Sequence, residues 1–354
     1  PDLAAFLRSI RKTLAQVFPE IVVLPGGTVH FFAALKPGTL VSDPQALVSR
    51  LHERNLQTTF VRESFLPFRM MPDRMADVDT QTLPLAETPI NQDFAPIAYY
   101  FDIALWSRQF HPTAGDFFSS VARVEFRRVV ILTLVCLLAV AAILRHRSRE
   151  THVRSAAGFC IFAMGFTLMA LQVLLLLAFQ SVYGYVYDQL ALLVACFMGG
   201  AALGSWLALR RSGTGMKTLG ALQGVALVSA LAAVGISMLL AGTSSSAGMF
   251  LSGQIVFPGL ALAAGLMGGY QFPVASRLFF AEESAMSRRI GVLYALDLVG
   301  ACAAALAIAT WLIPVLGFTR TAVLVAVVNV APLLLCVTSG SPSCPASLPQ
   351  RQLP

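Results

Sequence analysis

Beyond residue 128 the polar positions fall into short clusters, and between the clusters lie long apolar runs: 129–144, 156–179, 185–209, 219–241, 249–272, 290–314 and 321–337. At about 1.5 Å per helical residue, a run of about 20 residues crosses a hydrocarbon core of roughly 30 Å. Six of the runs are long enough. The run 129–144 has 16 residues, roughly 24 Å, with arginines at both ends, and is expected to lie in or re-enter the interface. Six or seven membrane helices follow from the pattern. Ahead of them the periodicity is that of a soluble domain. Leu3, Phe6, Leu7, Ile10, Leu14, Val17 and Phe18 share one helical face, which predicts a helix over 2–18. Residues 21–24 and 28–33 are short β-prone runs around Pro25-Gly26-Gly27, read as a tight hairpin whose glycines supply positive φ. Ser42 or Asp43 caps a second helix ending near Asn55, residues 58–61 read as an edge strand, and Pro72 starts a short helix.

The run 185–209 shows most clearly which solvent the chain occupies. Tyr183, Tyr185 and Tyr187 crowd one end and Trp206 the other, and Arg210, Arg211 and Lys217 follow, as expected at a headgroup boundary. Gly200 and Gly204, and later Gly265 and Gly269, are small-xxx-small pairs that let helices approach closely. Cations gather in alternate loops: 145–154, 210–217 and 277–289 are basic, whereas the loops near Gly184 and at 242–247 carry none. The positive-inside rule then places the basic loops and the C-terminus in the cytoplasm.

Composition sharpens this picture. Of 354 residues, 56% are hydrophobic and 12% charged, with mean hydropathy +0.72, too apolar for a soluble chain. Residues 1–128 hold 13 Lys+Arg and 13 Asp+Glu, so the whole net charge of +7 lies in the membrane part. No basic stripe with interleaved aromatics stands on a soluble surface, which argues against nucleic acid. The cysteines at 136, 160, 196, 302, 336 and 344 are scattered singly, and the five histidines show no paired spacing; no metal site and no nucleophile motif is expected. The chain opens on Pro1 and is expected to continue upstream.

Two carboxylates sit in or against lipid. Asp297, about two turns into its helix, reads either as a cation site or as a structural pair with a hydroxyl, an amide or an arginine from another helix. Asp188 stands at a helix start, where the helix N-terminus favours it. Gln172, Gln189, Gln254 and Gln271 read as interhelical hydrogen bonds. Pro258 and Pro273 either break the fifth helix or kink it.

Several runs carry a family resemblance. FLRSIRKTLAQVFPEIVVLPGGTVHFFAA, RLHERNLQTTFV, FLPFRM and INQDFAPIAYYFDIALWSRQFHP resemble the last third of the spermidine synthase-like domain of large bacterial membrane proteins. FMGGAALGSWLA, GGYQFPVASRL, LYALDLVGACAAAL and LIPVLGFT resemble the membrane part of the same family. The resemblance implies a C-terminal fragment of an α/β Rossmann-like, methyltransferase-type domain over 1–112, a juxtamembrane linker over 113–128, a transmembrane helical bundle over 129–338 and a disordered tail over 339–354. It implies aminopropyl transfer to a polyamine, with decarboxylated S-adenosylmethionine as co-substrate. The nucleoside-binding loop and the catalytic acid of that family have no counterpart here, so the catalytic core would lie upstream. Asn91, Asp93 and Tyr99 are then candidate accessory residues near the amine site, Asp93 by attracting a cation. The implied location is the bacterial inner membrane, with the N-terminal domain cytoplasmic. The alternative is a transporter or exporter of polyamines or other small cations, with Asp297 and Asp188 in the path and a synthase-like domain that senses or couples.

Overall fold

The computed structural model describes residues 2–59, 61–86, 88–110, 124–146, 149–184, 187–211, 215–242, 245–280 and 286–338. Expectations for Tyr185, His111, Cys344 and the tail 339–354 therefore lie outside the described residues, as does most of the linker. The chain divides into two compact units, 1–123 and 124–354.

The first unit contains α1 (Asp2–Leu14), β1 (Glu20–Leu24), β2 (His30–Ala34), α2 (Pro44–Glu53), α3 (Phe65–Arg69), α4 (Pro72–Thr82) and α5 (Ile97–Phe110). Its small core gathers Leu7, Val23, Leu66, Met70, Val78, Ile97, Tyr100 and Ala104. The strands pair antiparallel, Glu20 opposite Ala34 and Leu24 opposite His30. They are the only sheet among the described residues, so no Rossmann-like layer is shown; residues 58, 59 and 61 lie in no strand. The hairpin also departs from the expected tight turn. Its loop runs over 25–29, and neither Gly26 nor Gly27 has positive φ. Gly26 leaves room for a side chain: a Cβ there would lie 2.5 Å from the Arg69 guanidinium and displace it, and that guanidinium donates to Pro25 O at 2.6 Å and Thr28 O at 2.8 Å. Asp43 caps α2, accepting from the backbone N–H of Gln45 and Ala46, and Asn55 closes it with φ 48°.

The second unit is helical: α6 (Phe126–Arg145), α7 (Arg149–Tyr183), α8 (Tyr187–Arg210), α9 (Met216–Ala241), α10 (Ser246–Phe279), α11 (Met286–Ala307, prolonged by a π-helical stretch Ile308–Leu316) and α12 (Gly317–Thr338). Six helical segments are long and apolar enough to cross a membrane, which makes this a multi-pass membrane protein by its helices. The last segment spans 49 residues, Ile290–Thr338, roughly 74 Å of helix and more than twice a bilayer core.

That segment folds back on itself at Gly317, which has φ 78°, a conformation glycine adopts without strain. The packing on α7 fixes the directions. A Cβ at Gly158 would meet Leu296 and one at Gly300 would meet Phe162, so α11 runs with α7. The Cys160 and Cys336 sulfurs are 3.4 Å apart and Asn329 donates to Thr167 at 2.7 Å, so α12 runs against α7. Seven spans result. The first is α6, whose 20 residues extend the apolar run at its N-terminal end. Its length, about 30 Å, is enough for a span, and the last three residues of the expected linker belong to it; with loop 145–154 cytoplasmic by the positive-inside rule, such a span puts its N-terminal end on the opposite face, against the cytoplasmic placement expected for residues 1–112. It packs on α12, with Arg320 over the Phe126 ring and Ala141 in a cluster with Ala331, Leu335 and Cys336. Pro258 and Pro273 break nothing: the helix runs through both, with a π-turn at Ser252–Val256 just before Pro258.

Candidate functional site

The helix pairs of the second unit meet at glycines, and the closest approaches surround a cavity. A Cβ at Gly200 would lie 2.1 Å from Leu262 O, at Gly204 2.2 Å from Leu266 O, at Gly265 2.0 Å from Phe197 O and at Gly269 2.0 Å from Ala201 O. No real Cβ fits at such distances, so α8 and α10 touch backbone to backbone through two interlocked glycine pairs. Ser205 adds a hydrogen bond to Gly269 O at 3.0 Å. The same contact joins α7 and α11 at glycines the sequence pattern did not single out: Gly165 faces Asp297 O, and Gly300 faces Phe162 O.

Between these pairs lies a cavity of about 540 Å³, lined by α7, α8, α10 and α11. Three side chains give it polarity: Asp297, Tyr294 and Gln172. The Asp297 carboxylate is half-buried, and among the described residues it has no hydrogen-bond or salt-bridge partner. Gln172 turns a buried amide oxygen that has no partner. The structural pair imagined for Asp297 is thus not formed by any described residue. The rest of the wall is apolar, including Phe197 and Phe272. A carboxylate, a phenol and an amide oxygen can hold a protonated amine, since an intramembrane charge otherwise lacks a counter-ion.

Other sequence candidates lie elsewhere. Asp188 is exposed in the first turn of α8. Gln271 does bond between helices, donating to Cys160 O at 2.9 Å, and Gln223, which the pattern missed, donates to the same oxygen at 3.0 Å. Its signal was a lone amide in an otherwise apolar span. In the first unit Asn91 Oδ1 accepts from the Ala98 N–H at 3.0 Å, and the Asn91 N–H donates to Thr13 Oγ1. It therefore caps α5 and ties it to α1. Asp93 and Tyr99 are exposed. None of the three lines the two cavities around the hairpin, which are walled by residues such as Leu3, Arg69 and Arg74 on one side and Val22, Phe32 and Leu47 on the other. Compared with protein-family models, with curated proteins and with solved structures, the chain matches none.

Proposed function

We propose that the helical bundle binds a small organic cation in the cavity between α7, α8, α10 and α11 and carries it across the membrane, with Asp297 as its counter-charge. The observation that carries this reading is that Asp297, with no partner among the described residues, and Gln172, whose buried amide oxygen has none, line one largely apolar cavity. Such a carboxylate is costly in lipid, and a bound cation offsets that cost. Polyamines and simpler amines belong to this class. Arginines 145, 154, 210, 211 and 277 favour cytoplasmic placement of their helix ends. The aminopropyltransferase reading of residues 1–112 stands on motif resemblance alone.

The test uses the full chain in liposomes and a panel of methylamine, 2-phenylethylamine, putrescine and spermidine. At least one amine binds the wild type, and Asp297→Asn weakens that amine tenfold or more while the protein stays monodisperse. A wild type that binds none of the four, or a folded Asp297→Asn variant with unchanged affinity, overturns the reading.

A further inference from the structure

The contacts at Gly200 and Gly300 are the same contact. Gly200 meets Leu262 O at 2.1 Å and Gly300 meets Phe162 O at 2.2 Å; Gly265 meets Phe197 O at 2.0 Å and Gly165 meets Asp297 O at 2.3 Å. Each pair becomes the other when every residue is exchanged with its mate 100 positions away. Burial follows the same spacing: Leu193, Gly200 and Ala208 are buried along α8, and Leu293, Gly300 and Ile308 along α11. Three helices, α7-α8-α9, thus repeat as α10-α11-α12.

The direction of the repeat is fixed by packing. Helices α7 and α10 run antiparallel, because Cys160 O accepts from Gln271, the Phe179 and Phe257 rings are 5.5 Å apart and Tyr183 bonds Ser252. They meet at Leu168 and Gly268, which are mates of each other, so a two-fold axis passes there. Helices α9 and α12 are also antiparallel, with Gly220 on Cys336 and Thr319 on Met238. An axis that reverses helices lies in the membrane plane, the arrangement of inverted repeats with a site at their interface. The loop charges agree: basic Arg145 and Arg154 are matched by uncharged residues at 245 and 254, and Gly184 is matched within the basic loop 277–289.

The cavity lies on this axis, for all but four of its lining residues form pairs at the spacing of 100. Its two halves nevertheless differ in chemistry. The half formed by α7 and α11 carries Gln172, Tyr294 and Asp297; their mates on α10 and α8 are Phe272, Val194 and Phe197. One half offers a single negative charge with two polar groups, and the other offers aromatic faces. Val194 and Tyr294 are 40% and 55% exposed, which places them at the rim. A single carboxylate balances one ammonium, and a chain of several ammonium groups would leave the rest unpaired in an apolar cavity.

We infer that residues 149–338 are an inverted repeat of three plus three helices whose axial cavity takes an amine with one positive charge and an apolar body, the ammonium on the half bearing Asp297 and the body against Phe197 and Phe272. This rests on the cation-site reading and narrows it to monoamines. Aromatic faces add to the attraction for the cation.

The two-fold itself supplies the test. In the full chain, 2-phenylethylamine should bind at least tenfold more tightly than neutral 2-phenylethanol and than spermidine. Asp297→Phe should lose tenfold or more. The double variant Asp297→Phe with Phe197→Asp moves the carboxylate to its mate position and should recover to within threefold of wild type. A folded double variant that recovers nothing, or spermidine bound as tightly as 2-phenylethylamine, overturns this inference while leaving the cation site standing. Loss of amine binding at the wild type overturns both. Should the double variant not fold, the wild type decides: a preference of tenfold or more for 2-phenylethylamine over both spermidine and 2-phenylethanol supports the inference, and a smaller one overturns it.

Discussion

The two units are held by opposite means. In the first, polar side chains reach across the sequence to carbonyl oxygens: Arg69 to Pro25 and Thr28, Arg8 to Gln81, Lys12 to Thr88 and Ser9 to Pro89. Arg11 adds an ion pair to Asp79 at 2.7 Å. In the second, the closest contacts are made by residues with no side chain at all. The contrast follows from the solvent. Water drives apolar burial in a soluble unit, and a short chain adds polar ties to loops its core cannot cover. Lipid gives no such drive between helices, so close backbone packing has to supply the attraction.

The largest expected effect tests the second half of this comparison. Gly200→Leu forces a side chain into the Leu262 carbonyl and should abolish the monodisperse, folded protein on size exclusion. Gly199→Ala, one residue away with nothing within 4 Å of its added Cβ, is the matched control. A middle-sized effect tests the first half: Arg69→Ala removes both ties to the hairpin loop and should destabilise the first unit by about 1–3 kcal/mol, read as faster amide exchange in β1 and β2 with α8 and α10 unchanged. A smaller effect comes from alkali. Tyr100 is 1% exposed, and burial pushes its phenol up to about 12, above the unfolded value near 10. The folded state therefore retains the proton longer; stability from this group is complete below about pH 10 and declines as pH rises toward 12. Tyr100→Phe should flatten that decline in the first unit, and an unchanged profile would show that another group causes it. Smallest of all, the Gly199→Ala control should move thermal stability by no more than about 1 kcal/mol.

What could be read from the sequence follows the same division. Span positions were legible because an apolar run of membrane length suits a bilayer and almost no aqueous fold, and Gly200, Gly204, Gly265 and Gly269 stood out because their spacing of four repeats within one helix. Gly165 and Gly300 did not, since neither has a second glycine four residues away on its helix and each gains meaning only from a partner more than a hundred residues away. The repeat was hidden for a related reason: the mates share shape and burial, with few identities such as Gly200 and Gly300, Ala201 and Ala301, or Leu193 and Leu293. The length of α6 was underestimated because Phe126 and two arginines precede its apolar run, and an arginine can sit on the first helical turn at the interface. In the first unit the glycine pair at 26–27 was read through its backbone freedom, whereas the constraint comes from a guanidinium supplied 43 residues later by Arg69. Asp297 was visible as a charge in a hydrophobic run; that Tyr294 and Gln172 share its cavity required the packing of α7 on α11.

Arg277 has a wider consequence. Its guanidinium, at the end of α10, donates to Arg211 O at 2.7 Å and Ala208 O at 3.1 Å, closing the C-terminus of α8. Parting the two helices would strand those oxygens at the edge of the bilayer, on top of unzipping four glycines. Helices α8 and α10 are therefore joined twice, along the glycine seam and at the cap, and would move as one body in any rearrangement of the bundle.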